Sequence, residues 1–135
     1  ATDDITLVQK ALRQHPSANL AISLAGLTVV DVDGDQGRAA VKELDLPDTV
    51  KAFTGRGYHL YFKGEIAEGT FKGEKVDVLT GDNKLLMVPP SVHPLGKRYR
   101  YSTQSPSGIA PLPKNLNRLR PERAHQRQEW SQRKA

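Results

Sequence analysis

The sequence predicts an α+β domain in which short helices flank a sheet that occupies most of the middle of the chain. Three observations carry that expectation. An amphipathic run follows Thr2-Asp3-Asp4, a strand, acidic turn and helix follow one another in LTVVDVDGDQGRAAVKEL, and five short β-rich runs are then separated by Gly, Pro, Asp or Asn. At 135 residues the chain is long enough to close one hydrophobic core, and two full domains are not expected. With no cysteine, disulfides, thiolate zinc sites and a cysteine nucleophile are excluded together, which suits a reducing, cytoplasmic setting.

The elements can be justified in order. Asp3 and Asp4 stand before Ile5, Leu7, Val8, Ala11 and Leu12, an N-cap followed by a helix that His15-Pro16 should end. Leu20 to Leu24 and Leu27 to Asp33 read as two strands of a hairpin turning at Ala25-Gly26, with Thr28, Val29 and Val30 supporting the second. Asp35 to Leu44 reads as a second helix, with Asp35 as its N-cap and Pro47 as its limit. Further strands are expected at 49–53, Tyr58–Phe62, Val76–Leu79, Leu85–Val88 and Arg98–Tyr101. Thr80 to Asn83 should form a hairpin loop, and Pro89-Pro90 must end the strand before them because neither can donate to a ladder. Residues 106–113 are a Pro/Ser/Gly-rich linker.

Charge divides the chain at that linker. Residues 1–113 hold 13 basic and 13 acidic side chains, whereas residues 114–135 hold seven basic and two acidic ones. The expectation is a core over 1–113 and a basic tail or linker over 114–135. Such a tail is either a solvated charged end or a source of salt-dependent attraction to phosphate. The longest uncharged stretch, residues 20–30, is too short to span a membrane, and Asp3, Asp4, Lys10 and Arg13 interrupt any signal-like apolar run. Ala1 in the place of Met fits a piece of a longer chain.

Chemistry concentrates at the end of the LTVVDVD strand. Asp31 and Asp33 are two apart, so both carboxylates project from one face of the sheet. Like charges so close repel, and a divalent cation, Mg²⁺ or Mn²⁺, is the usual compensation. Asp77 in KVDVL could add a third oxygen ligand if its strand lies beside the first, and three such carboxylates can hold two ions. An EF-hand is the rival metal reading, since Asp31, Asp33 and Asp35 alternate. It fails because its sixth and twelfth places hold Gln36 and Lys42 and a strand precedes the loop. Aspartates that merely form a turn at a strand end are the structural alternative.

Two further segments bear on a ligand. In TGRGYHLYF, the glycines let backbone N–H groups approach an anion, and Arg56 and His59 can add donors, although no P-loop or complete GxGxxG is present. In PPSVHPLG, Ser91 and His93 are two residues apart, but no nucleophile elbow surrounds Ser91, so a substrate-contacting or structural loop is expected before a hydrolase.

In this order and spacing, LTVVDVDGDQG, TGRGYHLYF, VDVL and VPPSVHPLGKRYRY resemble the bifunctional DNA primase/polymerase (prim-pol) domain of the archaeo-eukaryotic primase superfamily, over about residues 2–113. The resemblance implies an RRM-like antiparallel or mixed sheet with helices packed on it, joined to a small α/β unit. It implies that Asp31, Asp33 and Asp77 are the catalytic residues and hold two Mg²⁺ or Mn²⁺ ions. It also implies that His59 contacts the phosphates of a nucleoside triphosphate, with Arg56, Gly57, Ser91 and His93 beside it. The wider superfamily often has Ser-x-His where this chain has Gly57-Tyr58-His59, so one phosphate contact would come from backbone alone. The implied activity is template-directed nucleotidyl transfer in DNA replication of a plasmid, phage or other mobile element. Its partners would be single-stranded or primed DNA and a helicase in the same or a neighbouring chain, with no membrane. The alternatives are a degenerate prim-pol module that binds nucleotide or single-stranded DNA without chemistry, and a metal-dependent nuclease or phosphohydrolase on the same carboxylates.

Overall fold

The computed structural model describes residues 2–121. Its first element is α1 (Ile5–Gln14), capped by the Asp4 carboxylate, which accepts from the N–H groups of Thr6 and Leu7 at 3.0 and 3.3 Å. The helix stands where the cap and the apolar spacing placed it. It buries none of its residues, however, and leaves Ile5, Leu7 and Leu12 exposed.

The hairpin expected at 20–33 is instead one long strand, β1 (Leu20–Asp33), and the hairpin expected at 76–88 is likewise one strand, β5 (Val76–Val88). The two pair antiparallel on both sides of an irregularity: Leu20 to Leu24 lie opposite Val88 to Gly81, and Thr28 to Val32 lie opposite Thr80 to Val76. The glycine signals mark a shared bulge. Gly26 (φ 74°) and Gly81 (φ 91°) bend the two strands at the point where the register shifts. The bend is held across the sheet, because the Glu65 carboxylate accepts from Gly26 N–H at 2.8 Å and the buried hydroxyls of Thr28 and Thr80 lie 3.0 Å apart. A turn and a bulge use the same residues, and only the partner strand distinguishes them.

The second helix, α2 (Gly34–Leu44), begins one residue earlier than expected and has Asp33 in the N-cap position. Asp35 was expected there; it lies in the first turn and pairs with Arg38 at 3.1 Å. After α2 come β2 (Lys51–Phe53), β3 (Gly57–Lys63), β4 (Phe71–Lys72), β6 (Arg100–Tyr101) and β7 (Ala110–Pro111). The sheet order is β4-β5-β1-β3-β2-β6, with β7 parallel to the end of β3 and every other pairing antiparallel. The protein is therefore α+β, as the sequence predicts, but the described residues build one mixed sheet and no separate α/β unit. The long β1–β5 ladder draws both halves of the chain into it.

Alternation along the strands sorts side chains between two faces. Val30, Val32, Leu60, Phe62, Val76 and Val78 face α2, whose Val41 and Leu44 close the larger core. Leu116, from the 3₁₀ turn Leu116–Leu119 in the stretch read as tail, is 1% exposed in that same core. The rest of the tail, residues 122–135, lies outside the described residues. On the other face Leu24, Val29, Ala52, Tyr61, Leu86 and Val88 form a smaller core. Here the Tyr61 hydroxyl is buried without a hydrogen-bond partner, and burial, then the neighbouring Tyr101 and Tyr99, push its pKa well above the usual tyrosine value.

An unsatisfied buried hydroxyl costs about 1–3 kcal/mol. Tyr61→Phe is accordingly expected to stabilise the protein by up to about 1 kcal/mol at neutral pH, read as a higher midpoint in thermal unfolding. The folded-state pKa of Tyr61 is raised, so the stability linked to its proton is complete below the unfolded value near 10 and is lost as pH rises further. The variant should therefore also lose less stability than the parent in alkaline melts.

No helix among the described residues is long and apolar enough to cross a membrane.

Candidate active site

The face that carries the smaller core turns polar at the C-terminal end of β1. Asp31 lies opposite His59 on β3 and opposite Asp77 on β5, so the three side chains form a row across adjacent strands. His59 is 5% exposed, and its Nε2 lies 3.3 Å from Asp31 Oδ1. Its Nδ1 is buried with no hydrogen-bond partner, and the ring meets Tyr61 and Tyr99 edge-on. Burial, and then the charge of Asp31, hold the Asp77 carboxyl above the usual carboxylate range.

One step along β1, Asp33 lies opposite Gly57, and its Oδ2 accepts from the exposed Arg56 guanidinium at 3.1 Å. Asp33 makes no side-chain bond to the start of α2, which leaves its carboxylate turned to this guanidinium. The turn carrying Arg56 is anchored from α2, where the Arg38 guanidinium donates to the Arg56 carbonyl and pairs with Asp35.

The opposite wall is a small hairpin after β5, which ends at Pro89-Pro90, joined by a cis peptide bond. Val92 bridges Arg98, His93 N–H donates to the Lys97 carbonyl at 2.7 Å, and Tyr99 N–H donates to the Ser91 carbonyl at 2.8 Å. The base of the hairpin is fastened to the start of β1. Ser91 Oγ accepts from Leu20 N–H at 2.7 Å and donates to the Leu20 carbonyl at 3.0 Å, while the Asn19 amide bonds both backbone groups of Val92.

Between these walls lies a cleft of about 270 Å³, lined by Asp31, Asp33, His59, His93 and Tyr99 together with the Thr54–Gly57 turn, Leu95 and Lys97. Thus Asp31, Asp33, Arg56, Gly57, His59 and His93 come together from residues far apart in the chain. Asp77 stands in the carboxylate row beside the cleft rather than in its lining. Ser91 does not reach it: the side chain is 2% exposed and committed to Leu20. Ser91→Ala should cost about 1–3 kcal/mol of stability through the orphaned backbone groups of Leu20, with nucleotide affinity per folded molecule unchanged in a titration. Arg98 is also turned away, its guanidinium donating to the Pro90 carbonyl at 2.8 Å. Sequence reasoning used Tyr99 only as part of the VPPSVHPLGKRYRY segment and gave no role to Asn19. The first is 8% exposed between the two cleft histidines, and the second clamps the hairpin. Neither stands out in sequence, because its work depends on a partner more than six residues away.

His93 Nδ1 accepts from Leu95 N–H at 3.0 Å, so in the neutral ring the proton is on Nε2 and available as a donor. The cleft thus offers imidazole, guanidinium, ammonium and backbone donors on one side and carboxylates on the other. That is a combination for holding a polyphosphate against hard cations.

A family model, bifunctional DNA primase/polymerase, N-terminal, matches residues 1–115. The chain belongs to this prim-pol family. Compared with curated proteins and with solved structures, it shows no match. Prim-pol membership points to a nucleotidyltransferase-like activity on nucleotides and DNA, generally with divalent metals. Among the described residues, no three His, Asp or Glu side chains are drawn together closely enough to enclose a metal ion. The donor set of this prim-pol domain nevertheless fits such ions. All three carboxylates are hard oxygen donors, Asp31 and Asp77 are cross-strand neighbours on β1 and β5, with burial and then their repulsion raising the pKa of Asp77, and Asp33 already holds a cation in the form of Arg56.

Proposed function

We propose that this domain catalyses template-directed nucleotidyl transfer, as a DNA primase or polymerase. The observation that carries the reading is the Asp77–Asp31–His59 row, with Asp33 one step beyond it, at the edge of a donor-lined cleft. Asp31, Asp33 and Asp77 would hold two Mg²⁺ or Mn²⁺ ions. Bound there, divalent ions would supply Lewis-acid activation of a 3′-hydroxyl and charge stabilisation for the departing pyrophosphate.

The chain's own residues do the rest. His59, fixed by Tyr61 and Tyr99, presents its imidazole beside Asp31 to the nucleotide phosphates. Arg56 exchanges Asp33 for a phosphate oxygen, and the Gly55–Gly57 backbone lets the triphosphate lie close. From the hairpin, His93 Nε2–H and the Lys97 ammonium donate to the same polyphosphate. In this reading the sheet with α2 packed on it would serve as the RRM-like core that the resemblance implies.

The test is extension of a labelled primer on a single-stranded template with dNTPs and Mn²⁺. Extension is expected. Nucleotide binding without extension would replace this reading with a non-catalytic module, and cleavage of DNA without added nucleotides would replace it with a nuclease.

A further inference from the structure

We propose that the opposite face of the sheet, behind the cleft, carries a second site: a stacking platform for single-stranded nucleic acid formed by Phe53, Tyr58, Lys51 and Arg100. The inference rests on the polymerase reading in one respect, that the strand bound there is the template.

Phe53 lies opposite Tyr58 on one side and Arg100 on the other, so the three form a row across β3, β2 and β6 on the α2 side of the sheet. The Arg100 guanidinium carbon sits 4.5 Å from the Phe53 ring centroid. Lys51 Nζ lies 4.3 Å from the centre of Tyr58 and 5.7 Å from that of Phe53. Both rings are only partly buried, and neither Lys51 nor Arg100 has a carboxylate within 4.0 Å among the described residues.

Aromatic faces interleaved with unpaired cations suit a polymer that alternates flat bases with phosphates. An acidic peptide would use the cations but leave the rings idle. Asp45 and Asp48 line the groove beside Lys51 and Tyr58, which directs a polyanion along the Arg100–Phe53–Tyr58 row and away from that groove. Position supports the same partner. Phe53 is joined to Thr54 and Tyr58 to Gly57, both cleft residues, so platform and cleft lie back to back at one end of β2 and β3.

The test is fluorescence anisotropy with labelled oligo-dT and an abasic sugar-phosphate oligomer of equal length, without nucleotide or metal, alongside thermal melts of each protein. Lys51→Gln/Arg100→Gln should weaken oligo-dT binding at least about tenfold and lower the salt slope by about two. Phe53→Leu should weaken oligo-dT about fivefold or more and leave the abasic oligomer unaffected. A parent that fails to bind oligo-dT, a folded double variant that binds as the parent does, or displacement by polyglutamate as effective as by DNA of equal charge would each overturn the platform. Because the assay involves no chemistry, a parent that binds oligo-dT but extends no primer would overturn the polymerase reading alone. Extension with an unchanged KM for template in the double variant would overturn the platform alone.

Discussion

Asp31→Asn is expected to abolish primer extension, by about three orders of magnitude or more, while leaving the protein folded. Asp31 is the middle member of the carboxylate row, the one residue that faces both Asp77 and His59. Asparagine keeps its shape and removes its charge, so any loss of activity reports charge and not packing. The stability effect should run the other way. The raised pKa of Asp77 means that, in the metal-free protein, its ionised form weakens the fold at neutral pH. That cost comes first from burial and then from repulsion by Asp31, and the substitution removes only the second, so the variant should melt at the parent's temperature or a few degrees above it in the presence of a chelator. Added Mn²⁺ should raise the melting temperature of the parent and leave that of the variant where it was. A folded Asp31→Asn protein that extends primers at the parent's rate would remove this residue from the mechanism.

The second large effect is on the fold itself. Gly57→Ala is expected to destabilise by about 3 kcal/mol or more, and Gly57→Ser no less. A Cβ on Gly57 would stand 1.8 Å from the Val32 carbonyl oxygen and 2.8 Å from its carbon. Both atoms belong to the backbone of β1, which pairs with β3 at this point, so neither can step aside without pulling Asp31 and Asp33 out of line with His59. By the resemblance drawn from the sequence, Gly57 stands where a serine would be expected. Here the close approach of β1 takes the space such a side chain would need, and restoring the serine should cost the sheet instead of adding a phosphate contact. Denaturant unfolding of Gly57→Ser beside the parent measures this directly; equal midpoints would show that the strand end yields easily.

The residues that bear the proposed chemistry were legible before the fold was known, because their signal is local. Apolar alternation ending in Asp31 and Asp33, a glycine-flanked His59 and the Pro-Pro-Ser-x-His loop each need only a few neighbouring residues to be noticed. The α+β class and both helices were legible for the same reason, since caps and helical periodicity act over one or two turns. Gly26 and Gly81 show the limit. Each marks a change of direction, but whether the chain turns back or continues past a bulge is decided by hydrogen bonds to a strand some fifty residues away.

Ser91 shows the same limit for the site. Its type and its place beside His93 suggest a ligand contact, yet its hydroxyl is occupied by Leu20, 71 residues earlier in the chain. By itself the sequence determined the class of fold, the carboxylate pair, the histidine and the neutral body with its basic end. Only the tertiary structure decided that Asp77 joins Asp31, that Tyr99 braces His59, that Ser91 serves the scaffold and that Phe53 meets Arg100 behind the cleft. Those outcomes depend on strand register, which is set by pairing and burial summed over the whole sheet and is therefore not written in any one segment.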